Sequence, residues 1–364
     1  MPTGPDNPPT ASRPAVRATA VLTVAVLAAG AVVRADDIRT ADQVLDHVTI
    51  TGYENGLIAY RDADGVFDHV EIWRVDSLSV ASAQRVARLN EAEQLVQSGK
   101  PAKAVILYRQ ALRAGHEYWP ALIQARLMRA ADRSGQYETS AKTFLDILGR
   151  DSVTAAHLFP QSLAHQPSRG VNRTLKRIRR FTSNQSDHGK QLLATMLRYA
   201  MLRAVADPEW TGLTKQIATA VVPPRLITPR TAPVQLSAMR SLLESGSRVE
   251  VLGAINRSLS TAPRDYLAPL LLLKSEALYL SAASPDDYLG AAIPAMRAAI
   301  YFADTPDAAR GLLLAAKAHQ ACGHTDDAIR LLREVLRRDA ATDQTRQSAR
   351  RELKRLSNEK QTTG

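Results

Sequence analysis

Residues 89–112, LNEAEQLVQSGKPAKAVILYRQAL, decide how this chain is read. Gly99 divides the stretch. Before it, Leu89, Ala92, Leu95 and Val96 recur at helical steps and share one helix face. After it, Ala104, Tyr108, Ala111 and Leu112 stand 5, 9, 12 and 13 residues on, again at helical spacing. A glycine between two such faces can take the left-handed backbone that ends one helix and starts a reversal. The small residue at the fifth position lets the second helix approach the first, and the aromatic at the ninth fills the space beneath it.

The frame returns 36 residues later at Gly135, preceded by Leu127 and Met128 and followed by Phe144 and Leu148. Ser140 takes the small position, while Ile147 stands where alanine is expected. Near the end of the chain, Ala315, Ala316 and His319 precede Gly323, and Ala328, Leu332, Val335 and Leu336 follow at the same offsets. A further 36 residues upstream of that second helix lie Ala292, Met296, Ala299 and Ile300, with a first helix over 267–280 and a turn at Ser284-Pro285-Asp286-Asp287. One frame recurring at one period is the signature of stacked helical hairpins.

On these residues the chain resembles the tetratricopeptide-repeat (TPR) family. The resemblance covers about 85–150 and 266–340, less than half the chain. The period is 36 where the family has 34, and Trp119 and Pro120 lie between the first two copies, not at the family's usual Trp and Pro positions. It implies a mainly α fold, a right-handed solenoid of αα-hairpins. Gly99, Ala104, Tyr108, Ala111, Gly135, Phe144, Gly323, Ala328 and Leu332 would be its packing residues. Stacked repeats leave a concave groove lined by first helices, and helical position assigns Asn90, Glu93, Arg126, Arg129, Lys317 and Gln320 to it as candidate partner contacts.

Upstream of the repeats, residues 47–80 alternate with period two. Val48 and Ile50 interleave with Thr49 and Thr51, and Asn55-Gly56 is a strong hairpin signal before a returning strand at 57–61. Strands at 66–74 and 75–80 complete a small antiparallel β-meander, expected to pack on the first helices or on another chain because so small a sheet is not stable alone. Asp62, Asp64, Gly65 and Glu71 match positions of a calcium loop, but Tyr60 stands where its first ligand belongs, so a turn is the better reading.

The expected organisation is a signal peptide at 1–35, the β-module at 36–80 and a repeat pair at 81–150. Then come a degenerate helical region at 151–265, repeats at 266–340, and a basic helix and tail at 341–364. Within 151–265, helices are expected at 188–205, 234–243 and 249–259, with a Pro-rich connector near 222–234. The polar, Arg-bearing segment before the apolar run 18–33 and the small residues at its end describe an export signal, making the protein periplasmic or secreted. The alternative is a membrane anchor at 18–33, with membrane contact if the segment is retained.

Among 364 residues there is one cysteine, which excludes an internal disulfide and a Cys-rich zinc site. The net charge of +11 falls to +9 without residues 1–35, which carry three arginines and one aspartate. Its excess gathers at 169–180 and 330–355, where no aromatics interleave with the C-terminal set as base stacking would require. Nucleic acid is therefore not expected as a partner; a solvated cationic face is the first reading, and binding to an anionic envelope component is the alternative. No phosphate-binding loop, zinc-protease helix or nucleophile elbow occurs. His319, Cys322 and His324 flank the Gly323 turn but supply too few convergent ligands, so no metal, cofactor or catalytic residue is assigned.

The function expected is an exported scaffold for protein–protein contact with no catalysis of its own. The rivals are an anionic-surface binder using the basic patches, and an enzyme or subunit with a site at the β-module–helix junction around Asp62, Asp64, His69 and Glu71.

Overall fold

Asn55 and Gly56 both take positive φ, 49° and 81°, the twist that a two-residue hairpin needs to match its strands. In the computed structural model, which describes residues 35–81, 87–114 and 119–363, this turn joins β2 (Val44–Glu54) to β3 (Leu57–Arg61). The sheet also contains β1 (Asp36–Thr40), β4 (Phe67–Glu71) and β5 (Val75–Ser79), in the order β4-β3-β2-β1-β5 with antiparallel neighbours.

It differs from the expected four-stranded meander. A fifth strand, β1, lies between β2 and β5, so the last strand pairs with the first and not with its predecessor. Only Ile38 is apolar in β1, so no alternation announces that strand. Its place is held instead by the buried Asp36 carboxylate, which accepts from the backbone N–H groups of Ile50 at 2.7 Å and Ala81 at 2.6 Å. The hairpin tip is closely packed: a Cβ on Gly56 would lie 2.7 Å from the Trp73 ring and closer still to the Thr154 hydroxyl.

Helices follow to the end of the described chain. The first pairs are α1 (Ala87–Gln97) with α2 (Pro101–Ala114) and α3 (Trp119–Arg133) with α4 (Tyr137–Leu148). The irregular pieces α5 (Ser152–His157) and α6 (Arg169–Ser183) come next. Then α7 (His188–Ala204) pairs with α8 (Trp210–Thr219), and α9 (Ala232–Glu244) with α10 (Arg248–Leu259). The last hairpins are α11 (Arg264–Ser281) with α12 (Pro285–Tyr301) and α13 (Pro306–Ala321) with α14 (Thr325–Arg337), followed by α15 (Asp343–Thr363).

One turn geometry recurs. Gly99, Gly135, Gly246 and Gly323 have φ between 71° and 89°. At each, the following residue's N–H reaches the carbonyl five back, as Lys100 does to Leu95 at 2.8 Å and Gln136 to Ala131 at 2.9 Å, while the glycine's own N–H bonds three back. This Schellman closure satisfies carbonyls that a helix end leaves open. Ala206 makes the same pair of bonds at φ 55°, without the glycine that usually permits it. The hairpins at Ala206 and Gly246 lie in the region 151–265, where sequence spacing places helices at 188–205, 234–243 and 249–259 but no repeat frame. At Gly246 the fifth position is Val251, not a small residue, although Val251 and Ile255 are both fully buried.

The helix expected over 188–205 is buried along most of its length. Leu192 to Leu197, Tyr199, Met201 and Leu202 of α7 are all buried. The Pro-rich segment is also packed, through Val222, Leu226 and Ile227, and forms a short 3-10 turn at Pro224–Leu226. One apolar cluster of described residues runs from Ile38 in the sheet through this region to Ala277 in α11, and two smaller clusters hold α12 to α15. The expected signal segment falls almost wholly outside the described residues, and among these no helix is long and apolar enough to cross a membrane.

Candidate interaction surface

The repeat-packing residues lie inside the hairpins. Ala104, Tyr108, Ala111, Phe144, Ala328 and Leu332 are buried, and Gly99, Gly135 and Gly323 occupy the left-handed turns. Tyr108 does more than fill space. Its hydroxyl donates to Glu93 Oε1 at 2.6 Å.

That contact opens a network that reassigns most of the expected groove. Glu93 is 1 % and Arg126 3 % exposed. Arg126 Nε donates to Glu93 Oε1 at 2.7 Å and a terminal nitrogen to Oε2 at 2.6 Å, a two-pronged pairing that suits guanidinium and carboxylate geometry. Its remaining donors reach the backbone carbonyls of Val75 at 2.7 Å and Asp76 at 2.8 Å in β5. Glu93 Oε2 also accepts from the Leu78 N–H at 3.3 Å. Arg129 donates to the Val75 carbonyl and lies 3.6 Å from the Asp76 carboxylate. Asn90 uses its side-chain amide as a strand would, accepting from the Val80 N–H at 3.0 Å and donating to its carbonyl at 2.6 Å.

Asn90, Glu93, Arg126 and Arg129 therefore do not line an open groove. Their helix face is covered by the chain's own sheet, because β5 offers backbone groups that these side chains satisfy. Helical position shows that the four share a face, but not that a strand some 15 to 50 residues upstream lies on it.

Burial alone would lower the Arg126 guanidinium, but the adjacent Glu93 charge holds it above its ordinary value. Burial, then the Glu93 charge, pushes the Tyr108 phenol up, so it remains a donor. Burial, then the Arg126 and Arg133 charges, pushes Arg129 down to about 10, which leaves it charged at neutral pH. A second contact ties the β4–β5 turn to α5: the Trp73 and His157 rings stack at 4.0 Å and 8°.

The other two groove candidates, Lys317 and Gln320, sit half-buried on α13, and their side chains make no hydrogen bond or ion pair among the described residues. Arg310, two helical turns before Lys317, joins a row of charges across three first helices. Arg240 of α9 is 3.5 Å and Arg310 of α13 3.9 Å from the Glu276 carboxylate of α11. Arg310 also pairs with Asp307 of its own helix at 3.3 Å, and no strand of the described chain covers this part of the array. The Arg240–Glu276–Arg310 row went unrecognised in the sequence because its members lie 36 and 34 residues apart on helices whose pairing spacing alone does not reveal.

Several members of the basic sets are paired. Arg173 lies 3.3 Å from Glu138, Arg179 pairs with Glu209, Arg330 lies 2.6 Å from Asp327, and Arg355 lies 3.0 Å from Glu352. Outside these sets, Arg109, Arg113 and Lys142 join Arg177 in lining a 550 Å³ cleft walled by α2, α3, α4 and α6, together with Glu138 and Asp146.

The rival site at the β-module does not assemble. Asp62 spends its carboxylate on the turn, accepting from the N–H groups of Asp64 at 3.0 Å and Val66 at 2.8 Å. Asp64 and His69 are exposed, and Glu71 lies 3.5 Å from Arg74. Cys322 donates to the Pro285 carbonyl at 3.1 Å, and burial pushes its thiol up, away from the reactive thiolate. Among the described residues, one group of side chains converges as metal ligands would: His319, His324 and Asp327, with donor atoms within 4.8 Å of one another.

No protein-family model matches the chain, and no curated protein matches it. Solved structures do. A tetratricopeptide repeat protein from Parabacteroides merdae is 13 % identical, covering 75 % of this chain and 98 % of its own, at a TM-score of 0.35. The TPR2AB domain of yeast Sti1, solved in its pHSP90 complex, is 15 % identical over 75 % and 97 %, at 0.29. The P58(IPK) TPR domain is 14 % identical over 76 % and 80 %, at 0.28. All three carry tetratricopeptide repeats.

Proposed function

We propose that this chain is an exported scaffold, without catalysis of its own, that holds an extended segment of a partner protein on its first-helix face. The observation that carries the reading is the seat of β5. There Asn90, Arg126 and Arg129 grip an extended strand through its backbone groups. A face that grips main chain in one part of an array has the chemistry to do so in another. The part across α9, α11 and α13 has no such occupant within the described chain; it presents Arg240 and Arg310 beside Glu276, with Lys317 and Gln320 further along α13. An acidic segment is the complementary partner. Export rests on the residues before and within 18–33, and fractionation of the native host tests it: protein confined to the cytoplasm would remove that element of the reading.

The test is capture of partners from the native envelope on the wild-type protein, on Arg310→Glu/Lys317→Glu, and on Arg257→Glu, a reversal on the exposed side of α10. A partner retained by the wild type and by Arg257→Glu, but lost from the double variant, supports the scaffold. Identical retention on all three overturns the assignment of that face.

A second reading, attachment to an anionic envelope polymer, draws on the cleft lined by Arg109, Arg113, Lys142 and Arg177. Such binding should fade as salt rises, because exposed charge contacts are screened within about 8 Å at physiological ionic strength. Retention of polymer at 1 M salt would count against it.

A further inference from the structure

We propose that His319, His324 and Asp327 form a binding site for a divalent transition-metal ion of the zinc class, stapling the end of α13 to the start of α14. The turn itself builds the site. In the Schellman closure at Gly323, the His324 N–H bonds to the His319 carbonyl at 2.9 Å. That geometry brings the side chains on either side of the turn together, a contact usually filled by apolar residues. The equivalent pairs at the other turns are Leu95 and Lys100, Ala131 and Gln136, Leu202 and Asp207, and Leu242 and Ser247. Here the pair is two imidazoles, with ring centroids 5.9 Å apart. Asp327 stands three residues beyond His324 in the first turn of α14, where a helix favours a negative charge.

The three donor atoms lie within 4.8 Å of one another. Ligands about 2.0–2.2 Å from a tetrahedral zinc ion are roughly 3.4 Å apart, so small side-chain rotations close the set. A second observation points to a ligand: His319 Nδ1 is buried with no hydrogen-bond partner. A buried polar atom without a partner is destabilising, and an ion bound to the ring removes or offsets that penalty.

The donor set selects the metal. Two imidazoles and one carboxylate suit zinc, cobalt, nickel or copper, whereas calcium and magnesium prefer sites made of oxygen alone. Three protein ligands leave a fourth position for water. The Asp327 carboxylate also accepts from Arg330 at 2.6 Å, an exposed pair that leaves its other oxygen for the ion. Cys322, although adjacent, spends its thiol on Pro285 and stands outside the set.

Calorimetric titration of tag-free, metal-stripped protein with zinc chloride tests the site, together with the visible spectrum of the cobalt-loaded protein. The expected result is one ion per chain, a tetrahedral cobalt spectrum, no comparable heat with magnesium, and a rise in melting temperature on adding zinc. Asp327→Asn and His324→Ala should each weaken binding roughly tenfold or more. Both positions are at least partly exposed, and melting of the metal-free variants shows whether they remain folded. No heat at saturating zinc overturns the site. Binding of undiminished strength in both folded variants also overturns it, because the ion then lies elsewhere.

Discussion

The Glu93–Arg126 pair shows what a single contact decides. A buried ion pair repays its desolvation only when every donor and acceptor is met, and here each Arg126 nitrogen has at least one acceptor. Arg126→Met should therefore cost about 3–5 kcal/mol in urea unfolding, because it strands a buried carboxylate. Adding Glu93→Met to that variant should cost far less than Glu93→Met does alone. Simple additivity would show that the two side chains act independently.

Backbone strain makes a second test at this scale. Ala206 holds a left-handed conformation that costs a non-glycine residue about 1–2 kcal/mol, so Ala206→Gly should stabilise by roughly 0.5–1 kcal/mol after the greater chain entropy of glycine is counted. Gly246→Ala should lose about 1 kcal/mol although its Cβ would meet nothing within 4 Å. Equal melting temperatures across these variants would remove strain from the account. The glycine turns at Gly99, Gly135 and Gly323 were legible from the sequence, because an interrupted apolar face marks them. The turn at Ala206 was not, because nothing in alanine announces positive φ.

Elements meet on small residues or on rings. The α12–α13 seam is built from alanines around Gly311, whose Cβ would lie 2.5 Å from the Ala295 carbonyl oxygen and 3.2 Å from the Ala299 nitrogen. Backbone cannot yield as a side chain can, so Gly311→Ala should cost about 1–3 kcal/mol by forcing the helices apart. Gly212→Ala in α8, where a Cβ meets nothing within 4 Å, should instead stabilise by roughly 0.5–1 kcal/mol. Thermal unfolding of the two variants tests the contrast.

The sheet and α5 meet at the Trp73–His157 stack, where burial lowers the imidazole below its ordinary 6.5. The unfolded chain then takes up the proton first. Stability from this group is whole above pH 6.5 and is lost as pH falls from there through the lowered folded value. His157→Phe should flatten that part of the stability-versus-pH curve, and an unchanged slope would show that His157 is not the group responsible. The α11–α12 connection carries a capping box, in which Ser284 accepts from the Asp287 N–H at 3.3 Å and the Asp287 carboxylate bonds back to Ser284. Hydrogen bonds from the Ser284 side chain and from two backbone N–H groups hold that carboxyl below its usual value.

At the scale of the molecule, the sheet and α1 to α11 share an apolar cluster, whereas α12 to α15 rest on smaller ones rich in alanine. Alanine buries little apolar area, and stabilisation scales with area at about 25 cal/mol per Å². Amide exchange should therefore reach α12 to α15 before α3 and α7, and protection equal across both regions would contradict this. Zinc should raise protection locally at the α13–α14 turn if the ion binds there.

The amino-acid order by itself determined the helical hairpins that turn at Gly99, Gly135 and Gly323 and their packing on small residues, because these depend on contacts a few residues apart along one face. It also placed Asn90, Glu93, Arg126 and Arg129 on one side of their helices. Only the tertiary structure decided what that side meets. It folded β5 back onto the face, inserted β1 beside it, and brought the Arg240–Glu276–Arg310 row and the third ligand beside two histidines into contact. The physical reason is the range of the interactions. Helical periodicity and turn chemistry are written over a dozen residues, whereas a strand's unpaired backbone can be satisfied by side chains 50 residues away, and no local pattern records which ones.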